Sequence, residues 1–179
     1  HSTFNKMIDT HCHIDDPQYA EGLDAFLQSQ RADGVQAILV PGVEAATTQD
    51  VLDVCERYPD YLFPALGLHP ENVKDDWREQ LAIIKSALDK HLVSTSETTE
   101  TPKTLSISNL RLVAIGEIGL DYHWDTTFRQ EQHEALREQL RWAEEYDLPV
   151  MIHSRDATED TLNILREFPS IKGVMHCFS

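Results

Sequence analysis

Apolar segments rich in β-branched residues alternate with amphipathic stretches along the whole chain. Strands are predicted over Lys6–His13, Gly34–Gly42, Leu62–His69, Leu112–Leu120, Pro149–His153 and Lys172–Cys177. Several are nearly unbroken apolar runs, such as Val35-Gln36-Ala37-Ile38-Leu39-Val40 and Val150-Met151-Ile152. Strands buried on both faces of a parallel sheet read this way. Helices fill the intervals. Leu23, Phe26 and Leu27 share one face, with Gly34 beyond its end. Val51, Leu52, Val54, Cys55 and Tyr58 form the next stripe, which Pro59 closes. Trp77, Leu81, Ile84 and Leu88 recur once per helical turn. Phe128, Leu136, Leu140 and Ala143 line a longer helix, with Thr127 and Gln130 placed as a capping box. Leu162, Leu165 and Phe168 mark a last helix before Pro169.

Strands alternating with helices mean βαβ units joined by right-handed crossovers. A closed (β/α)8 barrel needs eight strands and typically ~250 residues, and six strands here keep the same pace, roughly 30 residues per unit. The expected fold is α/β: a (β/α)8 TIM barrel truncated to its first six βα units. It forms a single domain over residues 1–179, with the C-terminal strands absent. Residues 94–108 interrupt the rhythm. They are rich in Ser, Thr and Glu, hold Pro102, and read as an exposed loop insertion.

With 41% hydrophobic residues and 7 glycines, the composition is that of a globular chain and excludes a disordered or collagen-like one. Cys12, Cys55 and Cys177 are too few and too far apart for a disulfide scaffold and read as buried small apolar residues. No apolar run approaches the ~20 residues of a membrane helix. No basic region leads into an apolar stretch at the N-terminus. The expectation is a reduced, cytoplasmic protein with no membrane association and no evident obligate protein partner. The formal charge of −16 changes the picture, because such a surface repels nucleic acid. A phosphate-bearing substrate would need a local positive potential, and bound metal ions are its obvious source.

The strand ends carry the candidate chemistry. The first ends in His11-Cys12-His13, and residues i and i+2 of a strand point to the same side. The third ends in Gly67-Leu68-His69-Pro70, and the fourth reads Gly116-Glu117-Ile118-Gly119-Leu120-Asp121. The fifth ends in His153-Ser154-Arg155-Asp156 and the sixth in His176-Cys177. A carboxylate such as Glu117 within an apolar strand is costly to bury unless it is paired or bound to metal. Catalytic residues of parallel barrels come from several strand ends at one face. The ligand count points to two divalent ions. His11, His13 and Glu117 suit one; Glu117, His153 and His176 suit the other, with the carboxylate bridging. Two such ions ~3.5–4 Å apart can clamp the attacking and leaving oxygens of a phosphoryl group. Mixed imidazole and carboxylate ligands suit Zn²⁺, Mn²⁺ or Mg²⁺.

These stations resemble those of the TatD family: His11-Cys12-His13, Gly67-Leu68-His69-Pro70, Gly116-Glu117-Ile118-Gly119-Leu120-Asp121-Tyr122, His153-Ser154-Arg155 and His176-Cys177-Phe178-Ser179. Its members are metal-dependent deoxyribonucleases within the amidohydrolase-like TIM barrels. The resemblance implies hydrolysis of DNA phosphodiesters by an activated water, as an exonuclease working from 3′ ends, with single-stranded DNA or 3′ ends as partner. It also implies metal roles for His11, His13, Glu117, His153 and His176. A further aspartate that the family carries on its last strand has no counterpart in these residues.

Other roles follow from charge and position. His69 is assigned, with Glu117, to catalysis, acting on the scissile phosphate or the leaving oxygen. Arg155 can fork onto a phosphate or pair with Asp156 or Asp121. Asp121 can orient a ligand histidine. Tyr122 and Trp124 can stack on a base or pack at the rim. His91, His123 and His133 lie in loop or helix settings and read as solvated. One alternative is an amidohydrolase-like hydrolase of small esters, lactones or phosphotriesters. The absence of lysine from Leu112–Leu120 argues only against its carbamate type. Another is a non-catalytic metal-binding module.

Overall fold

A computed structural model of the chain describes residues 7–19, 21–96 and 110–178. Among the described residues, six strands and five α-helices alternate: β1 (Met7–Asp9), α1 (Leu23–Ala32), β2 (Val35–Pro41), α2 (Thr48–Arg57), β3 (Leu62–Leu66), α3 (Trp77–Ser96), β4 (Ala114–Asp121), α4 (Arg129–Tyr146), β5 (Val150–Arg155), α5 (Thr158–Leu165) and β6 (Gly173–Phe178). All pairings are parallel, and strand order follows chain order from β1 to β6. The sheet is curled into a half-barrel. The tips of its two edge strands come together, with the rings of His11, just after β1, and His176, in β6, stacked 3.6 Å apart.

The curl creates two apolar layers. Outside, Ile38, Leu62, Leu66, Ile115, Ile118, Leu120 and Ile152 pack beneath the helices against Leu52, Ile84, Leu88, Leu136 and Leu140. Inside, Ala65, Ala114 and Met151 form a second small cluster with Leu39 against it. Every residue of β4 is buried, as expected of a strand covered on both faces. The stripe Trp77, Leu81, Ile84 and Leu88 faces the core.

Several local expectations are corrected. β1 ends at Asp9 and β3 at Leu66, so His11, His13 and His69 lie in the segments just beyond their strands. β4, β5 and β6 run further than expected, because ladder pairing carries on through Asp121↔Arg155 and Ser154↔Phe178. No capping box forms at α4: Phe128 is the N-cap, without a side-chain cap, and the Thr127 amide donates to Asp125 Oδ1 at 2.8 Å. α5 turns Thr161 and Ile164 inward and leaves Leu162 exposed, while Leu165 and Phe168 pack against the core as expected. Residues 94–96 continue α3, and 97–108 of the expected loop lie outside the described residues. Cys55 is buried, but Cys12 is half-buried and Cys177, on the edge strand β6, is exposed. Of the three histidines expected to be solvated, His123 is exposed as expected, with Asp156 beside it, while His91 and His133 are half-buried and partnered with Ala87 O and Asp160.

Candidate metal centre

Glu117 is the hub of the strand ends. It is 2% exposed, and its two carboxylate oxygens face different imidazoles. Oε2 lies 3.2 Å from His11 Nε2 and 3.9 Å from His13 Nε2. Oε1 lies 3.2 Å from His153 Nδ1 and 3.7 Å from His69 Nε2. Two sets of donor atoms converge closely enough to hold an ion, His11–Glu117–His176 and His69–Glu117–His153, and Glu117 belongs to both. The grouping differs from the expected one. The curl of the sheet sets His176 on the His11 side, and the adjacency of β3 to β4 sets His69 beside His153.

Proton bookkeeping distinguishes the histidines. His153 Nε2 donates to Asp121 Oδ2 at 2.7 Å, which leaves Nδ1 facing the Glu117 oxygen. In a neutral ring that nitrogen carries a lone pair, so a proton or a cation must sit between the two acceptors. Burial disfavours charge on His153, but the hydrogen bonds to Glu117 and Asp121 outweigh it and raise its pKa. Burial likewise pushes Glu117 upward, but His153, His69 and His11 reverse this and leave its pKa lowered. His11 and His69 go the other way: burial holds both down to about 4 against the pull of Glu117, so both rings are neutral at pH 7. His69 Nδ1 accepts the Glu71 backbone N–H at 3.2 Å. Its proton therefore sits on Nε2, aimed at the centre as a donor rather than a ligand lone pair.

A divalent cation fits this donor set. His11 Nε2 and His13 Nε2 converge to 2.9 Å beside the Glu117 carboxylate. Acceptors crowded in this way are stabilised by an ion among them. The His153–Asp121 bond is the usual second contact of a ligating imidazole, fixing tautomer and ring orientation.

The remaining candidates lie around the mouth. Arg155 pairs in register with Asp121 on the neighbouring strand. The expected ion pair is not formed, because Asp121 is bonded to His153 and Asp156 to His123. Tyr122 is drawn toward the outer helices: its hydroxyl donates to Asp160 Oδ2 at 2.8 Å and contacts His133 Nε2, and Arg129 lies 4.2 Å over its ring.

Two positioning residues are not visible as such in the sequence. Gln139 of α4 accepts from Leu68 N at 2.7 Å and donates to Leu68 O at 3.2 Å. Gln132, two turns earlier on the same helix, does the same for Asp121, at 3.0 Å both ways. Each buried amide takes the place of a missing backbone partner at a strand end, one next to His69 and one at the anchor of His153. The available signal was a pair of glutamines on the Leu136–Leu140–Ala143 stripe of an otherwise apolar helix face. Gln139→Leu leaves a buried N–H and C=O unpaired, so it is expected to cost about 1–3 kcal/mol. Urea unfolding checks this as a lowered midpoint with an unchanged slope.

The profile of a family described as TatD related DNase matches residues 8–179. An uncharacterized metal-dependent hydrolase of Bacillus subtilis, YabD, is 37% identical over 175 residues, 97% of this chain and 61% of the relative. A protein of Erwinia tasmaniensis named 3′-5′ ssDNA/RNA exonuclease TatD is 31% identical over 97% of this chain and 60% of its own length. The crystal structure of YjjV, a TatD homologue of Escherichia coli, superposes with a TM-score of 0.79 at 35% identity, covering 97% of this chain and 61% of that one. The chain thus spans about three fifths of the length of the relatives it matches.

Proposed function

We propose, from the premise that this chain belongs to the TatD-related DNase family of metal-dependent hydrolases, that its strand-end cluster hydrolyses phosphodiesters of single-stranded DNA from the 3′ end. The observation carrying this reading is the placement of the Glu117 carboxylate, with one oxygen facing His11 and His13 and the other facing His153, so that it would help hold a divalent ion on either side. His11, His13, Glu117, His153 and His176 are the proposed ligands. When bound, divalent ions supply Lewis acidity, an activated water and the positive potential that a chain of charge −16 lacks. The protein's own groups do the rest. Asp121 holds the His153 ring by its Nε2 proton. His69, neutral and protonated on Nε2, donates to a phosphate or leaving oxygen. Arg155 offers two parallel N–H donors to a phosphate beside it. Names given to relatives, among them the exonuclease of Erwinia tasmaniensis, support the substrate class.

The test uses 5′-labelled single-stranded DNA and the protein loaded with Zn²⁺, Mn²⁺ or Mg²⁺. The expected result is stepwise shortening from the 3′ end that a chelator stops and added ion restores. Turnover of small esters or phosphotriesters with DNA left intact would replace this reading by the ester hydrolase.

A further inference from the structure

Trp124, just beyond β4, leaves a large aromatic side chain in water. Trp77 and Trp142, the other tryptophans, are 6% and 3% exposed; Trp124 is 72% exposed. It lies three residues beyond Asp121. Its ring flanks a recess of about 170 Å³ also lined by Pro70, Lys74, Asp121, Asp125 and Phe128. That recess adjoins the proposed centre on two sides, since Pro70 follows His69 and Asp121 holds His153. The His123 ring stands at 87° to the indole with centroids 4.5 Å apart, a contact that steadies it, and the 72% exposure leaves most of the indole open to solvent. The Arg155 guanidinium lies over one side of the ring, 5.4 Å from its centroid, with no ion pair among the described residues.

We propose that Trp124 is a stacking platform for an unpaired nucleobase of the strand being cleaved, and that Arg155 beside it takes a phosphate of the same strand. This rests on the phosphodiesterase reading above and adds to it a residue that determines strand preference. An exposed indole next to an unneutralised guanidinium matches an alternating polymer of flat bases and anions. In a duplex both faces of each internal base are occupied by neighbouring bases. Only a single strand or a frayed end offers a face to the indole. Tyr122 is a poorer platform: it is half-buried, Arg129 lies closer over its ring, at 4.2 Å against 5.4 Å for Arg155 over Trp124, and Asp160 holds its hydroxyl.

The experiment compares wild type, Trp124→Leu and Trp124→Phe in the metal-loaded protein. Substrates are a thymidine oligomer and a fully abasic oligomer of equal length. Base–aromatic stacking is lost in the leucine variant, so KM for the thymidine oligomer is expected to rise about tenfold, with most of the loss in KM rather than kcat. Phenylalanine should restore most of it. The abasic oligomer should have a high KM in wild type that leucine raises less than twofold. Tryptophan fluorescence should be quenched by a phosphorothioate thymidine oligomer, and this quenching should vanish in Trp124→Leu. An unchanged KM with no quenching overturns the platform while leaving the nuclease standing, and so does an equal loss on both oligomers. Failure of wild type to cleave or bind either oligomer overturns both.

Discussion

Replacing Glu117 by glutamine is expected to lower divalent-ion-dependent hydrolysis by a factor on the order of 10³ or more, because metal catalysis supplies several kcal/mol at 1.36 kcal/mol per tenfold. The substitution keeps the volume and removes the charge. In the wild-type site, one oxygen faces His11 and His13 while the other faces His153 and His69. A glutamine must present an NH₂ group to one of these pairs, so it can serve at most one side as an acceptor. Removing even a group that only orients a ligand costs about 10–100-fold in metal affinity, and a ligand shared by two ions should cost more. Elemental analysis after dialysis should show the metal content reduced, with the far-ultraviolet circular dichroism of the wild type retained. A Glu117→Gln protein that keeps its metal and works within about tenfold of the wild-type rate would remove the centre from the mechanism.

Gly119→Ala should damage the fold itself. Gly119 sits in β4 opposite His153 of β5, at φ 151, a backbone region that L side chains rarely adopt. A Cβ at this position would lie 1.9 Å from the His153 carbonyl oxygen and 2.8 Å from its carbonyl carbon. The obstacle is strand backbone, which no rotamer change can move aside. The neighbouring strands β4 and β5 must separate where they carry the anchor of the site. Overpacking of this kind costs about 1–3 kcal/mol or more, and the unfavourable backbone region adds about 1–2 kcal/mol. Against a total stability of about 5–15 kcal/mol, the expected result is a melting temperature lowered by about 10 °C, with poor recovery of soluble protein. Thermal unfolding followed by circular dichroism gives the answer; a midpoint within about 2 °C of wild type would mean that the strands do not pack this closely in solution.

Much of this architecture could be read from residue order. Unbroken apolar runs separated by helical stripes imply a parallel sheet covered on both sides, because burying both faces of a strand removes the alternation that a half-exposed strand keeps. Charge density follows from composition, and the absence of an apolar run of membrane length from residue order. The chemistry-bearing positions were legible for the same reason: Glu117 stands out because a carboxylate in an apolar strand demands a partner, and the histidines recur where strands end.

What order along the chain could not supply was distance and direction. The curl of the sheet brings His176 of the last strand onto His11 beyond the first, and no spacing rule encodes that closure. Which nitrogen of His69 holds the proton depends on a backbone amide two residues on, and His153 takes its orientation from an aspartate on another strand. Gln132 and Gln139 look like helix-surface residues until the strand ends they clamp are placed beside them. Local pattern is set by how each segment partitions between water and core, which is a property of neighbouring residues. Ligand geometry, proton positions and the exposure of Trp124 are set by contacts between segments far apart in the chain, and these exist only once the sheet has curled.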